Sequence, residues 1–431
     1  MKKLLTILAV LLMAASVFAG GKQEAAAGGE VSMWTAYPET GKAYEELAQE
    51  YMEANPGVDV KVTVYAARAL EDKCNTSIPS GVGPDVLEQD IPSIKLLVEN
   101  GHFAKPPERI WDFYQTSIRD QFKLWETEEE FWGLPSHVGM AHVFWNKEWF
   151  SEVGLSRAPE TIDEMVQYAR KLVKYDANGE VEKSGISLRL SGGGFGVAEK
   201  WWIVALAPYG GSPQIETAPG KYMAGFDTEA ARRSLKLYID LLYKHRVDSY
   251  AVDHDSPAFA KGVTAMFQRE GTVVPFMEEN APDLDYGIAP MWGADWRGSI
   301  VGLETLEVTS MSKNPELAWD FVLFLSEPDS VRRKFMVSGR LPVRGDIDYG
   351  PVYAEKPKYE QLNVFPEDYG VYTYFQNSAF MEIWAKAGNW LTDAYTRKEL
   401  LDNPEGIRKT CADFNKQAND ILREAGQYAE R

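Results

Sequence analysis

The feature that most constrains the fold is an alternation of short apolar segments with amphipathic segments, which starts at residue 31. Residues 31–34 and 58–64 are predicted strands, and residues 41–54 between them repeat apolar side chains at helical spacing. A further strand is expected at residues 85–89. Strands that alternate with helices predict βαβ units and a parallel sheet, whose ligand crevice lies beyond the carboxyl ends of the strands.

A second series of the same kind begins after Trp132-Gly-Leu-Pro135. Thr161 and Glu164 form a capping box that predicts a helix through Lys174. Further strands are expected at residues 138–145, 286–290 and 303–308, and further helices at 228–244, from Asn314-Pro315 onward, at 378–393 and at 404–425. Because 431 residues exceed what one hydrophobic core usually accommodates, this repetition predicts two α/β lobes.

Short motifs occur in a definite order along residues 31–345. They are Trp34, Asn55-Pro-Gly57, Gly83-Pro-Asp85, Asn100-Gly101, Trp132-Gly-Leu-Pro135, Trp145-Asn-Lys147, Gly154-Leu155, Lys261-Gly-Val-Thr-Ala-Met266, Gly271, Tyr286-Gly-Ile-Ala-Pro290, Gly302 and Asn314-Pro-Glu-Leu-Ala-Trp-Asp-Phe321. In this order and spacing the chain resembles the extracellular solute-binding proteins of ABC sugar importers, the maltose-binding-protein-like family. The remaining C-terminal residues match that family only loosely.

The resemblance implies a two-lobed α/β fold of the periplasmic-binding-protein type, in which each lobe is a mainly parallel sheet flanked by helices. It also implies that the chain passes between the lobes three times, near residues 135–139, 265–268 and 309. Three short crossings form a hinge that permits closure around a ligand. The implied boundaries place residues 31–138 and 268–308 in the N-terminal lobe and residues 139–267 and 309–431 in the C-terminal lobe.

Residues 1–19 predict a signal peptide. Two lysines precede an almost wholly apolar run over residues 4–13, and Val17-Phe18-Ala19 supplies small residues for cleavage. The run is short for a membrane span, and an uncleaved anchor is the alternative. Gly20-Gly21 stands where many relatives carry a lipid-bearing Cys. We therefore expect a periplasmic protein that is not a lipoprotein, with residues 20–30 as a flexible tether.

The acidic balance of the chain disfavours a nucleic-acid partner, because phosphate binding needs a clustered basic surface. Without the two signal-peptide lysines, 43 basic residues stand against 64 acidic ones, a formal charge of −21. The acidity predicts solubility, and attraction of a cationic ligand is the alternative. Two cysteines make neither a disulfide framework nor a metal site. Cys411 lies on an apolar helical stripe, and a bond to Cys74 remains the alternative.

Candidate ligand residues are aromatic and polar side chains at strand ends, in glycine-rich turns or at family positions that face the cleft. A sugar packs its C–H face on a flat ring, while carboxylates and amides bind its hydroxyls. Trp34, Tyr37 and Asp90 lie at or just past predicted strand ends. The full predicted set is Trp34, Tyr37, Glu39, Asp90, His137, Trp201, Trp202, Trp292, Gly302, Arg344 and Trp384, and only one of Trp201 and Trp202 is expected to face the cleft.

Each candidate also has a structural alternative. Most of the 13 Trp and 21 Tyr have to lie in the core or scattered on the surface. His137, in the first crossing, fits hinge packing as well as ligand contact. Two departures from the family pattern disfavour maltose itself as the ligand: Gly139 replaces an acidic ligand residue, and Met381 replaces a stacking Trp.

Catalytic signatures are poor in this sequence. It lacks a Gly-x-Ser-x-Gly elbow and a phosphate loop, and residues 191–196 miss the dinucleotide-binding spacing. Asp253-His254-Asp255 predicts a solvated loop rather than a metal site. We expect no cofactor, no metal and no catalysis. The predicted function is a periplasmic, monomeric binding component that captures a sugar or oligosaccharide and delivers it to an ABC permease; the alternatives are a secreted glycosidase, or the same fold with a polyamine or another cationic solute.

Overall fold

The computed structural model of this protein describes residues 28–190, 194–375 and 377–430. The predicted signal peptide and most of the predicted tether lie outside the described residues. Gly29 and Glu30, which the sequence places in the tether, instead begin the first strand, where Gly29 pairs with Val58. In the described part of the chain, every helix is too short or too polar to span a membrane.

The described chain contains fourteen strands, and helices separate most of them. The strands are β1 (Gly29–Thr35), β2 (Val58–Val64), β3 (Val86–Asp90), β4 (Leu134–Met140), β5 (His142–Asn146), β6 (Lys174–Tyr175), β7 (Val181–Lys183), β8 (Gln214–Ala218), β9 (Lys221–Ala224), β10 (Met266–Arg269), β11 (Tyr286–Ala289), β12 (Gly298–Val308), β13 (Leu341–Pro342) and β14 (Gly370–Thr373).

The helices are α1 (Pro38–Ala54), α2 (Ala67–Ser77), α3 (Ile91–Glu99), α4 (Glu108–Ser117), α5 (Lys147–Glu152), α6 (Ile162–Leu172), α7 (Gly194–Trp201), α8 (Glu229–Ile239), α9 (Asp255–Ala260), α10 (Val273–Asn280), α11 (Pro315–Phe324), α12 (Pro328–Ser338), α13 (Gly350–Glu355), α14 (Pro357–Leu362), α15 (Phe380–Thr396) and α16 (Pro404–Glu424). Two of them continue as π-helical segments: α7 into Trp202–Leu206 and α8 into Asp240–Lys244.

The larger sheet has seven strands in the order β13-β4-β12-β3-β1-β2, with β14 beside β12. β1 is parallel to both β2 and β3, as the alternation predicts. The carboxyl ends of these strands therefore meet at one edge of the sheet. β12 runs antiparallel to β3 and to β4, so this sheet is mixed.

Two hydrophobic cores divide the chain. The first core extends from Val31 to Leu362 and includes the larger sheet and α1. The second core extends from Ala141 to Leu422 and includes α6, α7, α8, α15 and α16. Residues 317–362 lie in the first core, because α11 packs on β1 and α12 packs on α1. This corrects the predicted boundary at residue 309, since buried apolar residues return to the second core only from Tyr374 onward.

The smaller sheet, β10-β5-β11, lies between the two cores. Val143 and Met266 pack in the second core, while Phe144 and Phe267 pack in the first. β5 is antiparallel to both neighbours, which differs from the predicted parallel sheet. Only Ala141 separates β5 from β4, so β5 follows β4 without the crossover helix that a βαβ unit requires.

Candidate ligand-binding site

A pocket of about 330 Å³ lies between the two cores, and residues of both sides line it. Small-molecule sites in proteins span roughly 300–1,000 Å³. Its wall combines aromatic rings (Tyr37, Phe195 and Tyr374), carboxyls (Glu71, Asp90, Glu199, Glu270 and Glu304) and arginines (Arg189, Arg269 and Arg340). The remaining lining residues are Gln89, Ser93, Gly139, Gly196, Gly302 and Met381.

The first lobe contributes residues at the carboxyl ends of two parallel strands. Tyr37 follows β1, and Gln89 and Asp90 end β3. Asp90 also caps α3, because its Oδ1 accepts a hydrogen bond of 3.1 Å from the backbone N–H of Ser93. The pocket therefore opens where parallel strands end, as expected for a sheet of this kind.

Arg340 links β12 to α1 beside the pocket. Its Nη1 donates to Oε1 of Glu304 at 2.8 Å, and its Nε and Nη2 donate to Oε1 of Glu39 at 3.0 and 2.7 Å. The guanidinium carbon also lies 4.1 Å from the ring centroid of Tyr37. Burial raises the pKa of Glu304 to about 8, against the opposing charge of Arg340. All three nitrogens of Arg340 thus serve the protein itself.

His137 lies behind this wall on β4, where it pairs in register with Glu304. Its Nδ1 is 3.5 Å from Oε1 of Glu88, and its Nε2 is 3.8 Å from Oε2 of Glu304. Burial lowers the pKa of His137 well below its ordinary value, so the ring is neutral at pH 7. The structure places His137 in the packing between hinge strands and not on the pocket wall.

The wall from the second lobe holds three cations around one carboxylate. Nη1 of Arg189 donates to Oδ2 of Asp255 at 3.0 Å, and Nη1 of Arg269 lies 3.9 Å from the same oxygen. Nζ of Lys200 lies 3.5 Å from Oδ1. Burial by itself would raise the pKa of Asp255, but the charges of the three cations outweigh burial and hold that pKa below its ordinary value. Asp255 is therefore ionised and shared.

An apolar face adjoins these charges. The rings of Phe195 and Tyr374 meet edge to face with centroids 5.6 Å apart, and Met381 lines the pocket beside them. The hydroxyl of Tyr374 donates to Oε1 of Glu199 at 2.5 Å. Rings beside carboxyls are suited to a sugar, whose C–H face packs on a ring while its hydroxyls donate to carboxylate oxygens.

The structure brings part of the predicted ligand set to this pocket. Three predicted residues line it: Tyr37, Asp90 and Gly302. Glu39 lies just behind the wall as the partner of Arg340. Trp34 lies outside the pocket lining, half-buried, with its ring against Tyr65 at 5.6 Å and under Nζ of Lys73 at 4.6 Å.

The other predicted residues do not line the pocket, which corrects their placement on its wall. Four indoles are buried in the second core: Trp201, Trp202, Trp292 and Trp384. Burying such large apolar surfaces stabilises the lobe, and Nε1 of Trp292 is satisfied there by the carbonyl oxygen of Val204 at 2.9 Å. Arg344 forms a bidentate ion pair with Asp346 at 2.9 and 2.6 Å.

Sequence reasoning missed most of the charged wall. Arg269 and Glu270 stand at the end of β10, and the strand-end criterion that selects Asp90 would also select them. No sequence feature of this kind identifies Arg189 or Glu199, because neither residue follows the end of a strand. Tyr374 lies in a segment that matches the family only loosely.

No metal or disulfide site accompanies the pocket. In residues 28–190, 194–375 and 377–430, no three His, Cys, Asp or Glu side chains gather as a metal-binding group. Cys74 is buried in the first core and Cys411 in the second, both as free thiols, so the alternative of a bond between them is wrong. Burial raises the pKa of each thiol to about 12.

Comparison with known families matches residues 46–361 to the bacterial extracellular solute-binding proteins. The chain belongs to this family. Relatives of this solute-binding protein include a putative binding protein of Brucella abortus (strain 2308), 27% identical over 366 residues, which cover 80% of this chain and 82% of the relative. The maltotriose-binding protein of Pyrococcus abyssi (strain GE5 / Orsay) is 23% identical over 345 residues, with 78% and 71% covered.

Solved structures show the same fold. The solute-binding protein of an ABC transporter from Thermotoga lettingae, bound with alpha-D-tagatose, superposes with a TM-score of 0.72 at 20% identity and covers 91% of this chain and 99% of that one. The GacH receptor of Streptomyces glaucescens gives a TM-score of 0.74 at 18% identity, with 92% and 99% covered. These likenesses confirm the predicted two-lobed α/β fold.

Proposed function

We propose that this solute-binding protein is the substrate-binding component of an ABC importer and that it captures a sugar or oligosaccharide by closing its two lobes. The observation that carries the proposal is the pocket between the cores, where the rings of Tyr37, Phe195 and Tyr374 stand beside the carboxyls of Asp90 and Glu199. Relatives named for maltotriose and for arabinooligosaccharides support the same class of ligand.

Arginines on both sides of the pocket favour a saccharide over a polyamine. The chain as a whole is strongly acidic, but the pocket lining contains both signs of charge. Arg189, Arg269 and Arg340 line it together with the carboxyls. The ammonium groups of a polyamine bound in this pocket would lie beside the guanidinium groups, and these like charges would repel one another. A neutral hydroxyl meets no such barrier and finds both donors and acceptors.

Thermal unfolding with a ligand panel tests the proposal. The panel contains neutral and acidic saccharides from one to four sugars, with spermidine as the cationic comparison. A ligand at 100 times its dissociation constant adds about 2.7 kcal/mol to the free energy of unfolding, which is a measurable shift. Stabilisation by a saccharide and not by spermidine supports the proposal. Stabilisation by spermidine alone, abolished by added salt, contradicts it.

We also propose that binding occurs without turnover. A retaining or inverting glycosidase needs two carboxyls about 5–10 Å apart across the scissile bond, with a separate acid and base role. Chromatography after long incubation with each stabilising saccharide should return the ligand intact. Shorter sugars in the reaction would instead identify the glycosidase alternative.

The proposal also covers where the protein acts and which proteins it binds. The family is extracellular; we propose that cleavage after Ala19 releases a monomeric, unlipidated periplasmic protein. The partners are then the membrane subunits of an ABC permease, which receive the sugar from the closed protein. In this proposal each lobe consists of one hydrophobic core and the elements packed on it, and the two lobes close on the sugar.

A further inference from the structure

Three cations lie close together on the second-lobe wall around Asp255, and Arg269 also pairs with Glu270 at 3.3 Å. Arg189, Lys200 and Arg269 all share the single carboxylate of Asp255. Lys200 is buried behind the other two and donates to the backbone oxygen of Gln268. The guanidinium groups of Arg189 and Arg269 therefore line the pocket, and the ammonium group of Lys200 lies behind them.

The two guanidinium groups also have spare hydrogen-bond donors. Within the described part of the chain, the Arg189 side chain donates one hydrogen bond, to Asp255, and the Arg269 side chain donates none. Arg269 forms ion pairs at 3.9 Å from Asp255 and 3.3 Å from Glu270, and its buried Nε has no hydrogen-bond partner among the residues that the structure describes. Arg340 differs, because each of its nitrogens donates to a carboxyl oxygen of Glu39 or Glu304. A guanidinium has five N–H donors, and the contacts of the described residues leave most Nη donors of Arg189 and Arg269 unused.

The backbone is shaped to hold Arg189 at this position. Arg189 has a φ of 52°, in the left-handed region that costs energy for a residue with a side chain. Such strain persists where the surroundings determine it and is concentrated at ligand sites. A Cβ at Gly196 would lie 2.4 Å from Cζ of Arg189, so only glycine leaves room for the guanidinium over α7.

The opposite wall has the reverse character. Among the described side chains, Glu71, Asp90 and Glu304 line it, and Arg340 beside them is paired with Glu39 and Glu304. Carboxylates there accept hydrogen bonds from sugar hydroxyls, while free guanidinium donors on the second-lobe wall call for an acceptor with negative charge. Arginine pairs with a carboxylate through two parallel hydrogen bonds, the strongest match for its geometry.

We propose that the ligand of this pocket is a saccharide that carries a carboxylate, a uronate sugar, and that Arg189 and Arg269 bind that carboxylate. This inference rests on the proposed function and specifies its substrate class. Tyr374 and Phe195 then pack on the sugar ring, and the first-lobe carboxylates bind its hydroxyls.

Calorimetric titration with matched ligands tests the inference. Each uronate disaccharide, digalacturonate first, is compared with its own carboxyl-reduced form, which keeps the linkage and the hydroxyls and replaces the carboxylate by a primary alcohol. We expect at least one uronate disaccharide to bind more than about tenfold tighter than its reduced form, because charge-assisted hydrogen bonds are lost on reduction. Reduced or neutral saccharides that bind as tightly as the uronates overturn the inference and leave the proposed function standing. Failure of every saccharide overturns both.

Variants identify the residues. Arg189→Gln and Arg269→Gln should each remove most of the preference for the uronate, because each should weaken binding of the uronate by a larger factor than binding of the reduced form. Asp255 keeps two cations in each variant, and the conservative Arg269→Lys should retain part of the preference. Arg408→Gln, at an exposed ion pair with Glu405 far from the pocket, is the control and should bind as wild type. A uronate preference that survives both glutamine variants overturns the assignment to Arg189 and Arg269.

Discussion

Nη1 of Arg340 donates to Oε1 of Glu304 across 2.8 Å, and this pair joins the residue that follows α12 to the strand that passes between the lobes. The other oxygen of Glu304 is buried 3.8 Å from Nε2 of His137 and has no hydrogen-bond partner among the described residues. With the pKa of Glu304 raised to about 8 by burial, its carboxyl is mostly protonated at pH 7. A proton is therefore part of the hinge structure.

Glu304→Gln should flatten the dependence of stability on pH. An ordinary Glu carboxyl has a pKa of 4.5, so between pH 4.5 and about 8 the unfolded chain has released a proton that the folded chain keeps. The contribution of Glu304 is thus fully present below pH 4.5 and is lost as pH rises toward 8, by at most about 1.4 kcal/mol per pH unit. Urea unfolding of both proteins across this range measures the difference.

The matched control is Glu405→Gln, which removes an exposed carboxyl on α16. It should keep the wild-type slope across the same pH window. Other buried carboxyls also titrate, so the informative quantity is the difference between Glu304→Gln and wild type. Identical slopes in the two proteins would show that Glu304 ionises as freely in the folded chain as in the unfolded one.

Gly196→Ala should weaken ligand binding without weakening the fold. The new Cβ would stand 2.4 Å from Cζ of Arg189, and the flexible end of that side chain has to leave its position. Alanine is the better helix former, by about 0.5–1 kcal/mol, so α7 should keep or gain stability. We expect an affinity loss of about tenfold for the saccharide that the protein binds.

A double-mutant cycle decides whether Gly196→Ala acts through Arg189. In an Arg189→Gln background the alanine has no guanidinium to displace, so it should cost less than about twofold in affinity. Equal losses in the wild-type and Arg189→Gln backgrounds would mean that the alanine perturbs the pocket by another route. Thermal unfolding of all four proteins checks that the lobes remain intact.

The helix start at Asn314 shows how far local sequence reasoning reaches. α11 begins at Pro315, as the Asn-Pro-Glu pattern predicts. The side chain of Asn314, however, does not cap the helix; its Nδ2 points to the backbone oxygen of Glu30 at 3.4 Å. The Asn-Pro-Glu motif thus predicted where α11 begins. The role of the Asn314 side chain depends instead on a contact with a residue 284 positions away in sequence.

The same limit explains the site. Tyr37 and Asp90 were predictable because the edge of a parallel sheet is a position that the order of strands defines. The sequence could not distinguish the four buried indoles from cleft residues, because an aromatic residue shows the same sequence pattern in a core and in a cleft. The contact of Arg189 with Asp255 joins residues 66 apart, and their two segments also meet where the backbone N–H of Asp255 donates to Oγ of Ser187 at 2.9 Å.

Trp34→Ala and Tyr374→Ala should differ in their effect on ligand affinity. Trp34 lies outside the pocket lining, packed with Tyr65 and Lys73, so its loss should lower stability by about 1–2 kcal/mol and change affinity by less than about twofold. Tyr374 lines the pocket, and its loss should weaken binding by about 2 kcal/mol, more than tenfold. Calorimetry below both melting temperatures measures the affinities. Loss of binding in Trp34→Ala alone would move the site to the ends of β1 and β2.

The mature protein should begin at or near Gly20. The apolar run that ends in Val17-Phe18-Ala19 is typical of a cleaved signal, and Gly20-Gly21 offers no thiol for a lipid. Mass spectrometry of protein purified from the native envelope measures both features in one spectrum. A species that retains Met1, or one with the added mass of a lipid, would contradict the prediction.

Ligand should make the protein more compact in solution. The pocket takes its walls from both lobes, and α3 of the first lobe lies against α15 of the second, so ligand contacts with both walls exist only when the lobes are together. A ligand that binds the closed state better shifts the population toward it. Small-angle scattering should therefore show a smaller radius of gyration at saturating saccharide than without it. Tyr374→Ala at the same saccharide concentration is the control and should keep the ligand-free profile. An unchanged wild-type profile at calorimetric saturation would mean that the lobes are already closed and that the saccharide enters a rigid site.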